Sequence, residues 1–268
     1  MTVTNAGSLT ILQRLAGGDL LIADGATGTY LHKHGLRPGS CPEAMNVTHP
    51  AVVRQAAAEF FAAGSDFVLT NSIGGNRFRL EKYGHGHRVR EFNRLAVEHA
   101  RSATPEGRYV VATAGPTGEF LAPLGDVSNR EMYDAFAEQV TAFEEGGADG
   151  VIFETMSALE EVTLAIKAAR ENTGLMVIGS MVFEKGPGGL FTMMGVTPEQ
   201  AAEGMLAAGA DAVGSNCGNG IDVMVEVAER LRRATDGHVI VQSNAGLPRV
   251  VGGETVFPET PEYMAERF

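Results

Sequence analysis

The chain contains no tryptophan, only two cysteines, and 21 basic residues against 33 acidic ones. Two cysteines, Cys41 and Cys217, exclude the disulfide framework that holds small secreted domains together. A formal net charge of -12 disfavours attraction to phosphate backbones and anionic lipid, so nucleic acid is not an expected partner. No apolar run reaches the roughly 18 residues of a membrane span. The start, MTVTNAGSLTILQRLAGG, has neither the basic n-region nor the long apolar h-region of a secretory signal. A cytoplasmic protein with no membrane partner is the expectation. What the chain does have is 268 residues, 44% of them hydrophobic, and 34 glycines. That is enough for a single domain over residues 1–268 with a full core.

Short apolar runs recur, each followed by small or polar residues and then by a helical pattern. Strands are predicted over residues 20–23, 66–70, 109–113, 150–153, 176–181, 211–215 and 239–242. Helices fill the intervals, several opened by a cap residue before proline, as at Thr197-Pro198. Strand then helix, repeated about seven times, predicts an α/β fold with parallel strands. Asp24, Thr70, Asn71, Glu154, Asn216, Cys217 and Asn244 all fall at the carboxyl ends of these strands. A (β/α)8 TIM-type barrel gathers its active site on that side, whereas a doubly wound sheet does so only near a switch in strand order. No G-x-G-x-x-G follows the first predicted strand, which weakens a dinucleotide reading. The glycine-rich stretch over residues 184–189 is expected to be a mobile lid loop.

The stretch Val213-Gly214-Ser215-Asn216-Cys217-Gly218-Asn219-Gly220 joins a strand end to a sharp turn, with an amide and a thiol at the junction. By itself a cysteine after an apolar run is most often a small buried hydrophobe. Glu154 is a second candidate, because a carboxylate at the end of an apolar strand is costly without a partner or a cationic ligand.

The segments ADGATGTYL, CPEAMNVTHP, DFVLTNSIGGNRFRLEKYG, AGPTGEFLAPLG, GVIFETMS, GSNCG and SNAGLP, in that order from residue 23 to residue 248, resemble the homocysteine S-methyltransferase family. The similarity is greatest to the homocysteine-binding barrel of cobalamin-dependent methionine synthases, through the extended form TNSIGGNRFRLEKYG. The resemblance implies transfer of a methyl group from a methylcorrinoid such as methylcobalamin, held on a separate domain or protein, to the thiol of homocysteine. Methionine would be the product, and Zn²⁺ would hold the substrate sulfur as thiolate. It implies that Cys217 is a zinc ligand and that Asn216 orients the zinc site. Asp24, Glu43 and Glu154 would hold the ammonium group of homocysteine, and backbone N–H groups near Gly25 and Ala26 its carboxylate. Thr70 and Asn71 would line the same substrate site, and Asn244 would support it.

The family's Gly-Gly-Cys-Cys motif on the eighth strand, which supplies the other two zinc ligands, does not occur in these 268 residues. The expectation is therefore a barrel lacking its eighth strand, with two of three zinc ligands absent from this chain. A shortened zinc enzyme is one explanation. A zinc-free barrel subunit that binds a corrinoid protein, or a methylated amine or sulfur compound, is the other. An unclosed barrel also exposes strand edges, a physical reason to expect a homo-oligomer.

Overall fold

A computed structural model describes residues 9–218, 220–252 and 254–267, so Asn219 of the glycine-rich turn lies outside the described residues. The chain forms two compact units, one of Met1–Ile152 with Lys167–Val177 and one of Phe153–Ile166 with Ile178–Phe268. The strands are β1 (Phe67–Leu69), β2 (Tyr109–Ala114), β3 (Gly150–Met156), β4 (Met176–Met181), β5 (Glu184–Gly186), β6 (Gly189–Phe191), β7 (Ala212–Cys217), β8 (His238–Ser243), β9 (Arg249–Val251) and β10 (Glu254–Val256). Strands β3 and β4 each run through both units, so each unit contains a part of them.

In the first unit the strand order is β1-β2-β3-β4. Strands β1 and β2 are parallel, with Phe67 opposite Tyr109. Phe92, Phe136 and Phe143 are fully buried on the helices Val89–Ser102 and Asn129–Gly146. The second of these helices starts at a capping box. The Ser128 hydroxyl accepts from the Glu131 N–H, and the Glu131 carboxylate accepts from the Ser128 N–H. Gly147, at φ 87°, closes it in the left-handed conformation.

Residues 20–23, predicted as a strand, form no ladder, and Leu20 and Ile22 are 88% and 60% exposed. The reason is local. The Ile22 carbonyl accepts from the Asp66 N–H (2.7 Å), while the Ile22 N–H donates to the Asp66 carboxylate (2.9 Å). A side chain takes the place of the next ladder partner. Arg14 and Arg108 neutralise that carboxylate.

In the second unit the order is β3-β4-β7-β8. Strands β4 and β7 are parallel, as are β7 and β8, the latter pair running from Ala212 opposite His238 to Cys217 opposite Ser243. Gly214 permits this close pairing, because a Cβ there would collide with the Ile240 carbonyl. Among the described residues neither unit shows a switch in strand order; the hairpin β5–β6 and the helix Pro198–Ala207 lie between β4 and β7 in the chain. Strand order that follows chain order is the barrel pattern, not the doubly wound one. Residues 184–189, expected as a lid loop, belong to the antiparallel pair β5–β6, with Gly186 opposite Gly189 across a two-residue turn. Among the described residues no helix is long and apolar enough to cross a membrane.

Candidate active site

The predicted site residues of the first unit lie just past β1 and around two short turns. Asp24 follows the unladdered segment, and its carboxylate accepts from the Leu69 N–H (2.9 Å). Gly25 and Ala26 are exposed immediately before the helix Thr27–Lys33, and a side chain at 25 would strike the Phe60 ring. Asp24, Thr70 and Asn71 share the lining of a crevice of about 10 Å³, room for roughly one water molecule.

Glu43 is 2% exposed on the turn Pro42–Ala44. Its carboxylate accepts from the Gly74 N–H (2.7 Å) and from the Cys41 thiol (3.3 Å). Burial, with Glu43 beside it, pushes the Cys41 thiol up to about 12. The Asn71 amide donates to the Pro42 carbonyl (2.8 Å) and to Asn46 (3.0 Å), and so fixes the turn that carries Glu43. Thr70 accepts from the Thr113 N–H and lies 2.6 Å from the Ser72 hydroxyl, which itself donates to the Thr113 carbonyl. The Thr70 hydroxyl is thus engaged inside the unit, tying the end of β1 to β2.

The second unit brings Glu154, Asn216, Cys217 and Asn244 to the ends of β3, β7 and β8, and adds two residues that sequence reasoning missed, Thr155 and Ser180. Asn216 is 2% exposed and uses its whole amide. Oδ1 accepts from the Thr155 N–H (2.8 Å) and the Ser180 hydroxyl (2.8 Å). Nδ2 donates to Thr155 Oγ1 (2.7 Å) and to Cys217 Sγ (3.3 Å). A backbone N–H only donates, so this amide has one possible orientation. Asn244 holds the turn after β7 through its N–H to the Cys217 carbonyl (3.4 Å) and its amide to the Gly218 carbonyl (3.2 Å).

Thr155 and Cys217, at φ 61° and 62°, are the non-glycine residues of the described chain with left-handed backbone. Each such conformation costs on the order of 1–3 kcal/mol, and a β-branched residue adopts it least readily. Desolvation is the largest influence on the Cys217 thiol and raises its pKa; hydrogen bonds from Thr155 and Asn216 oppose this, and the nearby charge of Glu154 adds to it. One signal in the sequence pointed to Ser180, a hydroxyl inside the apolar strand MVIGSM, where it needs a partner.

Catalytic zinc takes three protein ligands. Among the described residues no three His, Cys, Asp or Glu side chains are grouped to hold a metal ion, and Cys217 offers one thiolate. The described residues alone therefore do not fit such an ion.

The chain is 29% identical to methionine synthase of Mycobacterium leprae over 96% of its own length, and spans 22% of that protein. It is 33% identical to betaine–homocysteine S-methyltransferase 1 of Sus scrofa, over 77% of this chain and 74% of that one. The metallated form of the homocysteine methyltransferase MmuM from Escherichia coli superposes with a TM-score of 0.76 at 19% identity, over 88% of this chain and 87% of that one. That likeness establishes the shared fold. The family model described as homocysteine S-methyltransferase matches residues 21–268. With that match extending from the segment before Asp24 past Asn244, the chain belongs to the homocysteine S-methyltransferase family.

Proposed function

We propose that the protein transfers a methyl group to the thiol of homocysteine, giving methionine, with a methylcorrinoid such as methylcobalamin as donor and a zinc-held thiolate as nucleophile. The observation that carries this reading is the Cys217 thiol at the end of β7, oriented by the fully engaged amide of Asn216. A thiol fixed in this way is suited to bind a soft metal ion. Zinc would supply thiolate chemistry at neutral pH, since coordination deprotonates a thiol. It needs two donors besides Cys217 from outside the described residues.

The remaining roles are proposed from the motif resemblance. Asp24, Glu43 and Glu154 are assigned to the substrate ammonium group and the N–H groups at Gly25 and Ala26 to its carboxylate. The hydrogen bonds of Asn71 favour a supporting role for it, holding the Glu43 turn, and those of Asn244 favour the same for the Cys217 turn. The resemblance of TNSIGGNRFRLEKYG to cobalamin-dependent methionine synthases is the reason to propose a corrinoid-carrying domain or protein as partner; the chain spans 22% of the methionine synthase of Mycobacterium leprae.

The test is methionine formation from homocysteine by the zinc-replete protein produced from its complete coding region. Cys217→Ala is expected to abolish zinc binding and turnover together. Undiminished methylation by the zinc-replete Cys217→Ala protein would sink the proposal. That no three metal-ligating side chains are grouped among the described residues favours one rival reading, a zinc-free subunit that binds a corrinoid protein or a methylated amine or sulfur compound. In that case metal analysis finds no zinc while the corrinoid partner still binds.

A further inference from the structure

We infer that Thr155 and Ser180 are positioning residues that aim the Cys217 sulfur, acting through Asn216. The purpose of that aim rests on the homocysteine reading above; the geometry rests on hydrogen bonds within the second unit alone. Two contacts pin Asn216 Oδ1, the Thr155 N–H and the Ser180 hydroxyl. Rotating the amide by half a turn would set Nδ2 against the Thr155 N–H, two donors face to face. Nδ2 is thereby directed at Cys217 Sγ and at Thr155 Oγ1.

Thr155 contributes twice. At φ 61° its N–H and its hydroxyl both meet the same Asn216 amide. Because Oγ1 accepts from Nδ2, the hydroxyl proton remains available, and Cys217 Sγ lies 4.0 Å away. The sulfur is therefore faced by an amide N–H and a hydroxyl, donors suited to a sulfur that carries negative charge. Ser180 is fully buried on β4 beside β7 and gives its hydroxyl to Oδ1. A residue needed only for packing would not be held in a left-handed threonine conformation, since glycine fills that backbone without strain.

The experiment uses the full-length protein and the variants Thr155→Val, Thr155→Ser and Ser180→Ala. Crystal structures give the Cys217 rotamer, and steady-state assays give kcat and KM for homocysteine. Thr155→Ser is expected to keep the wild-type rotamer and rate. Thr155→Val and Ser180→Ala are expected to spread Cys217 over more than one rotamer and to lower kcat by about 10–100-fold, with KM unchanged. Ser180→Ala removes a single oxygen and carries the test if Thr155→Val does not fold. A single Cys217 rotamer with Sγ still on Nδ2 in both variants would overturn the inference, as would equal losses in Thr155→Ser and Thr155→Val. If the wild type methylates no homocysteine with any donor, the functional reading fails while the rotamer comparison still decides the positioning.

Discussion

Cys41 and Cys217 show how placement separates two chemically identical side chains. Cys41 is 6% exposed, donates to the buried Glu43 and has its thiol pushed from an ordinary 9.0 to about 12. The linkage has a definite sign. Below pH 9 the thiol is protonated in both folded and unfolded chains, and its contribution to stability is complete. Between about 9 and 12 the unfolded chain loses the proton and the folded chain keeps it, so stability falls, by up to about 1.4 kcal/mol per pH unit. Urea unfolding at pH 8, 9.5 and 10.5 is expected to show a shallower decline for Cys41→Ala than for the wild type. Parallel declines would refute the assignment. Cys217, facing Asn216 and Thr155, was legible from the sequence as a strand-end thiol. Its two supports were not, because residue type does not encode backbone handedness and threonine is among the residues least expected at φ near +60°.

At the level of elements, the ends of the strands were readable because apolar runs stop where polar residues begin. The parallel order was readable because strand and helix alternate along most of the chain, the hairpin β5–β6 being the interruption. Residues 20–23 show the limit of that signal. Their apolar character resembles that of the buried strands, yet Leu20 and Ile22 are exposed, and Asp66 holds the segment by its side chain. Asp66 is 8% exposed and also accepts from Arg14 and Arg108. Removing it takes the carboxylate from Arg108 and from the Ile22 N–H while Arg14 keeps Asp19, so Asp66→Ala is expected to destabilise the fold by about 1–3 kcal/mol. Asp66→Asn, which can still accept from Ile22, should cost less. Equal urea midpoints for the two variants would show that the segment is held by something else. The loop reading of residues 184–189 gave way for a related reason: a glycine-rich stretch reads as irregular, but its ends pair as β5 and β6.

For the molecule as a whole, charge and family membership set what remains to be measured. Arg77 and Lys82 of the TNSIGGNRFRLEKYG stretch are engaged with Glu138 and Glu119, so these basic residues belong to a paired, solvated surface. That stretch is the basis for expecting a corrinoid donor. In side-by-side assays of the full-length protein, methylcobalamin is expected to support methionine formation faster than betaine or S-methylmethionine. Faster turnover with betaine would move the protein toward the other relatives. The burial of Cys41 also has a practical consequence. Cys41 is buried and Cys217 only partly so, so of the two described thiols Cys217 is expected to react first with a maleimide. A fluorophore or spin label attached to the wild type would report from the end of β7, and distances from there to a bound partner could be measured without prior mutagenesis.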